Sequence, residues 1–271
     1  MKKIVVSLVL VLVLVLGTVG IVGAVTDGEP DGNGHPYVGL MIADVDGEPA
    51  WRCSGTLISP TLFLTAGHCT YGASAARVWF NSDMTYDSVP YPLYPYGGKG
   101  SGAVEGTPYT HPQYVDSAFY LFDLGVVVLD KPVKMKTYGA LPGLNVLDTL
   151  ATQRGQQDVT FTAVGYGLQQ SFPDAASWKE NNVRVRMVAY PKLNQINGGI
   201  VGDYSLLLSN NANTGGTCFG DSGGPNFIGD SNVVGGVTSF GMNGTCGGTG
   251  GVYRVDRADD LDWLATFGVK P

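Results

Sequence analysis

From Val25 onward the chain is cut into short runs rich in β-branched and aromatic residues: Arg77-Val78-Trp79-Phe80, Leu124 to Leu129, Val159 to Val164, Val183 to Val188 and Val233 to Phe240. Gly, Pro, Asn and Asp stand between them. Such runs read as strands separated by turns, because branched and aromatic side chains suit a pleated surface and the intervening residues supply turn backbone. Many short strands over this length form a barrel or a sandwich. Val183-Arg184-Val185-Arg186-Met187-Val188 alternates strictly, which predicts one buried face and two outward arginines. One helix is expected, over Asp256 to Phe267: Leu261, Leu264 and Ala265 recur at helical spacing, acids open it and Gly268 follows it. Tyr86 to Gly102 and Gly198 to Gly216 read as loops.

The first residues have a different composition. Lys2 and Lys3 precede an apolar run from Ile4 to Leu16, and small residues lead to Val22-Gly23-Ala24. This is the pattern of a secretory signal peptide over residues 1–24, cleaved after Ala24. An uncleaved anchor is the rival, although Gly17, Gly20 and Gly23 interrupt its later part. The formal net charge is −7 with no basic tract, which argues against a nucleic-acid partner. The expectation is a secreted, monomeric extracellular protein with no stable membrane association once the leader is gone. Cys53, Cys69, Cys218 and Cys246 are an even set in an exported chain, so they read as disulfides with three possible pairings. Pairing neighbours in sequence would close two short loops, each contributing about 3 kcal/mol of chain entropy. Zinc is the competing reading, but the C-x-x-C spacing is missing.

The chemistry points to Gly220-Asp221-Ser222-Gly223-Gly224. The flanking glycines let a substrate approach the serine, and the N–H groups of Gly220 and Ser222 are placed to form an oxyanion hole. A serine needs a base, and the three histidines, His35, His68 and His111, all precede it. The stretch matches the nucleophile elbow of α/β-hydrolases, but that fold requires a later histidine. The order acid, His, Ser would need an early acid such as Asp44, with no strand–helix pattern to support it. His, Asp, Ser remains. His68 ends an apolar strand beside a cysteine, whereas His35 and His111 precede prolines in loops and are expected to be structural. Asp123 opens an apolar strand, where a carboxylate is costly to bury unless paired; Asp116 is the fallback.

Thr65-Ala66-Gly67-His68-Cys69, Asp123-Leu124-Gly125-Val126-Val127-Val128-Leu129 and Gly220-Asp221-Ser222-Gly223-Gly224-Pro225 together resemble the chymotrypsin/trypsin-like serine endopeptidases, of the bacterial secreted type. Cys53-Ser54-Gly55-Thr56-Leu57-Ile58, Val164-Gly165-Tyr166-Gly167, Ser239-Phe240-Gly241 and Gly251-Val252-Tyr253 extend the likeness over most of residues 25–271. The resemblance implies two six-stranded antiparallel β-barrels, over about 25–145 and 146–255, with the active site between them and a C-terminal helix over about 256–267. It implies His68, Asp123 and Ser222 as catalytic triad, Gly220 and Ser222 as oxyanion donors, and disulfides Cys53–Cys69 and Cys218–Cys246. It also implies protein or peptide substrates and no metal or organic cofactor. The family's new N-terminus pairs with the acid beside the nucleophile, here Asp221. Counting back from Pro36-Tyr37-Val38 places the pairing residue at Val25. Gly216, Thr217, Ser239, Phe240, Gly241 and Gly251 fall at the specificity pocket. Gly216 stands where an aspartate would select Arg or Lys, so the expected preference is for large apolar or aromatic residues. The alternatives are an inactive protease-like binding module and a secreted serine esterase.

Overall fold

A computed structural model describes residues 25–151, 158–179, 181–197 and 202–271. Residues 1–24, read above as a leader, lie outside the described residues. Strand β1 (Glu29–Pro30) is followed by β2 (Val38–Val45), β3 (Glu48–Ser59), β4 (Leu62–Thr65), β5 (Ala75–Trp79), β6 (Val104–Thr110) and β7 (Gly125–Leu129). Strands β2 to β7 close into an antiparallel barrel in the order β2-β3-β4-β7-β6-β5. Its strands bury Val38, Leu40, Leu57, Phe63, Leu64, Val78, Trp79, Val126 and Val127 almost completely, which is what their branched and aromatic sequences favour. A helical turn, α1 (Gly67–Thr70), follows β4, and another, α2 (Leu93–Tyr96), lies in the tyrosine-rich loop.

The second half comprises β8 (Phe161–Gly165), β9 (Met187–Ala189), β10 (Leu193–Ile196), β11 (Ser205–Asn210), β12 (Pro225–Ile228), β13 (Val234–Gly241) and β14 (Gly248–Arg254). With β1 they make an eight-stranded half-barrel sheet ordered β1-β9-β8-β12-β13-β14-β11-β10. The N-terminal strand therefore belongs to the second unit: Glu29 pairs with Val188 and Pro30 with Met187. Proline suits this edge position because it has no N–H to donate. Phe227, Val234, Val237 and Tyr253 share one hydrophobic core with the first barrel. Helix α3 (Ala258–Ala265) adds Leu261 and Leu264 to that core. It starts after Asp256, whose carboxylate is engaged by Arg254 and by the N–H of Leu147.

Two local expectations change. Gly198 to Gly216 is not all loop, since Ser205–Asn210 is a buried strand, while 198–201 lie outside the described residues. Arg186 does not point outward. It is fully buried and donates to Asp31 (2.8 Å), Gly32 O (2.8 Å), Val38 O (3.1 Å), Phe80 O (3.1 Å) and the Tyr166 hydroxyl (3.2 Å). Val183 to Arg186 is not part of strand β9; it pairs with residues 82–84, the stretch after β5, with Arg186 N–H on Ser82 O and Met84 N–H on Arg184 O. Local alternation predicted the wrong environment because this segment packs between the two units, and a guanidinium is tolerated there only with its donors satisfied.

Candidate active site

His68 is held by its neighbours on both sides. Strand β4 is buried throughout and ends at Thr65, and Cys69 is bonded to Cys53 on β3. Trp51 Nε1 donates to Cys69 O at 2.9 Å. The imidazole faces the loop entering β7. There Asp123 is fully buried and accepts His68 N–H at 2.8 Å and His68 Nδ1 at 2.9 Å. Its Oδ2 also accepts the Ser239 hydroxyl at 2.5 Å. These donors offset the desolvation of a buried carboxylate. Asp116 stands in an exposed turn, Asp116–Ala118; the acid that touches His68 is Asp123. Burial pulls the His68 pKa down, but the charge and hydrogen bond of Asp123 and the charge of Asp116 outweigh it and hold the imidazole above its ordinary value.

The other two histidines are packed elsewhere. His35 bonds to Asp31 and stacks on Phe227. His111 is buried between Phe122, stacked at 5.2 Å, and Trp263, edge-on at 5.0 Å.

Gly223, next to Ser222, packs against the segment that leads into His68, although no hydrogen bond joins the Ser222 hydroxyl to His68 among the described residues. A Cβ on Gly223 would lie 2.0 Å from Thr65 Oγ1 and 2.7 Å from both Ala66 N and Ser54 O. The residue after the serine is therefore pressed against the segment that leads into His68. Ser222 O accepts Ser54 N–H at 2.8 Å, and Gly223 N–H donates to Thr238 O at 2.8 Å. Asp221 and Gly224 N–H groups are also spent, on Cys218 O and Asp221 O. Among the described residues no acceptor takes the N–H of Gly220 or Ser222. Gly220 has φ +94°, a conformation that residues with a Cβ avoid.

A pocket opens beside Ser222, lined in part by Thr217, Phe219, Ser239, Phe240, Gly241 and the Cys218–Cys246 disulfide. Gly216 and Gly251 stand outside that lining. Asn210 occupies the space next to Gly216, and the Phe240 ring lies over Gly251. Asn210 was not legible as a site residue. It donates to Thr217 O at 2.8 Å and accepts the Thr26 hydroxyl at 2.5 Å. Ser239 was expected only as pocket wall; its hydroxyl is the third donor to Asp123.

Asp221 is completely buried and accepts the N–H groups of Gly167 (2.8 Å) and Cys218 (2.9 Å). Burial pushes its carboxyl up to about 6, with those hydrogen bonds and the charge of Arg52 opposing. Val25 is buried against Met187 and Ala189, and Gly216 N–H donates to Thr26 O at 3.0 Å. As for metals, ligand atoms of Cys53, His68 and Cys69 lie within 4.8 Å of one another. The two sulfurs form a disulfide, which leaves no thiolate to bind an ion.

A hydroxyl, an imidazole backed by a buried carboxylate and two unspent N–H groups are the parts that acyl transfer requires. Comparison with known proteins agrees. The chain is 30% identical to a trypsin of Saccharopolyspora erythraea, over 84% of this chain and 91% of that protein. It is 28% identical to brachyurin of Leptuca pugilator, over 88% of this chain and 96% of the relative. In structure, HL collagenase superposes with a TM-score of 0.68 at 22% identity, covering 91% of this chain and 100% of that one. Human heparin binding protein superposes with a TM-score of 0.61 at 17% identity, over 89% and 95%. At such identities the two structures speak for the fold. Residues 29–263 match the trypsin family model, and the chain belongs to that family of serine endopeptidases.

Proposed function

We propose that this protease is secreted, begins at Val25 after removal of residues 1–24, and works as a monomer through His68, Asp123 and Ser222. Ser222 Oγ attacks the scissile carbonyl while His68 Nε2 takes its proton. The tetrahedral oxyanion is met by the N–H groups of Gly220 and Ser222. His68 then returns the proton to the leaving amine, and water hydrolyses the acyl-enzyme by the reverse assignment of roles. Asp123 fixes the imidazole tautomer and stabilises its cation. The observation that carries this reading is the shared seat of Asp123, which holds His68 Nδ1 at 2.9 Å and, through Ser239, the wall of the pocket that Ser222 also lines.

The substrate preference is for large apolar or aromatic side chains. It is supported by a pocket lined by Phe219, Phe240, Gly241 and a disulfide, with no charged side chain among its lining residues. Secretion is supported by the two disulfides, which persist in oxidising compartments. The Val25 amine, once freed, is the cation that would pair with Asp221.

The test is N-terminal sequencing of the exported protein, with peptide-library profiling of wild type and Ser222→Ala. Cleavage after Phe, Tyr, Leu or Met by wild type alone, from protein starting at Val25, is expected. Strong cleavage after Arg, or an active form starting far from Val25, would contradict the respective part. A folded protein with the predicted start and no cleavage would favour a binding module.

A further inference from the structure

Beside Gly220 stands a cation for which the reaction above has no use. Arg52 lies on β3 just before Cys53 and Ser54. The Ser54 hydroxyl donates to Gly220 O at 2.9 Å, and Ser54 N–H donates to Ser222 O at 2.8 Å. Strand β3 therefore flanks the backbone that carries the serine. The Arg52 guanidinium approaches so closely that a Cβ on Gly220 would lie 2.9 Å from Nη2 and 3.1 Å from Nε. Arg52 is half-buried, and Nη2 donates to Asn182 Oδ1 at 2.9 Å. Among the described residues no carboxylate lies at ion-pair distance from it. Its Nη1 and Nε have no acceptor among those residues, so most of the fork is unspent.

The pocket that would take the acyl-side side chain is built from Thr217–Phe219 and Thr238–Gly241, and Arg52 is not in its lining. A peptide with its carbonyl at Ser222 and its acyl side in that pocket has its leaving half outside the pocket, on ground that Arg52, beside Gly220, is free to border. We infer that Arg52 is a specificity-determining residue for the leaving half of the substrate, selecting an acidic side chain at one of the first two residues after the scissile bond. This rests on Ser222 being the nucleophile. A guanidinium presents paired donors that match a carboxylate, which a neutral side chain cannot exploit equally. The protein's net charge of −7 disfavours acidic peptides in general, so a preference confined to those positions would be local to Arg52.

The test is kcat/KM on peptides with a fixed acyl half and Glu, Gln or Lys at each of the two leaving positions. Wild type is expected to favour Glu over Gln by about two- to fivefold at one of them. Arg52→Lys should keep the preference in weaker form, Arg52→Gln should lose it, and Arg52→Glu should shift it toward Lys. Melting temperatures matching wild type verify that the variants fold. Equal rates for Glu and Gln in wild type, or an undiminished preference in Arg52→Gln, would overturn the inference. Organophosphonate labelling separates the two levels. A protein that labels on Ser222 but does not discriminate refutes the role of Arg52 alone, and a folded protein that neither labels nor cleaves refutes the nucleophile as well.

Discussion

Replacing Gly223 by alanine should damage stability and activity together, for reasons that can be separated. The first is backbone: Gly223 has φ +75°, and a residue with a Cβ pays about 1–2 kcal/mol for that conformation. The second is space. The new methyl would lie 2.0 Å from Thr65 Oγ1 and 2.7 Å from Ala66 N and Ser54 O, and two of those three atoms are backbone. Overpacking of this kind costs about 1–3 kcal/mol, for a total of about 2–5 kcal/mol. In a domain of this size that lowers the melting temperature by roughly 4–20 °C. Relief of the overlap must move Ser222 away from the Thr65–His68 segment, and a misplacement of about 1 Å costs about 10²-fold in rate. Gly229→Ala is the control: its φ is +56°, with nothing within 4 Å of the added methyl, so only the backbone part applies. Thermal melts and kcat for both variants decide the matter. If Gly223→Ala costs no more than Gly229→Ala, or keeps wild-type kcat, the close approach does not position the serine.

The kcat/KM profile should fall on the acid side with a midpoint above the ordinary histidine value of 6.5, because His68 must be neutral to accept a proton. Asp123→Asn should move that midpoint down and lower kcat by about 10⁴-fold; an unmoved midpoint would remove Asp123 as the source of the raised pKa. The same shift links to stability. The imidazolium–Asp123 pair contributes fully below the unfolded histidine pKa, and its contribution is lost as pH rises through the higher folded value. Asn210→Ala should leave the part-buried Thr217 carbonyl without its donor, while the Thr26 hydroxyl keeps Gly216 O at 3.1 Å, costing about 1 kcal/mol in urea denaturation, and should raise KM more than it lowers kcat. Unchanged KM would mean that Asn210 does not shape the pocket wall.

What could be read from the chain alone was whatever is encoded locally or by order. His68 follows an apolar strand and Asp123 opens another, so both had a recognisable setting, and the absence of a later histidine removed the hydrolase elbow. Strand runs such as Leu62–Thr65 and Gly125–Leu129 announced themselves through branched residues. The features that escaped depend on pairing across the fold. Ser239 is a strand residue until β13 brings its hydroxyl to Asp123. Asn210 lay in a stretch whose Gly- and Asn-rich end concealed the buried strand before it. Arg186 obeyed an alternating pattern, yet the face that pattern turned outward is covered by the other unit. Glu29–Pro30 is too short to declare itself a strand, and its partner β9 lies far along the chain.

The central claim is that Ser222 is a nucleophile activated by His68 and Asp123. The most direct test is reaction of the protein starting at Val25 with an organophosphonate bearing an aromatic acyl-side group, followed by mass-spectrometric mapping of the adduct. One adduct per chain is expected, on Ser222, lost in Ser222→Ala and greatly slowed in Asp123→Asn. A folded protein with that N-terminus which forms no adduct, or forms it on another residue, would contradict the account.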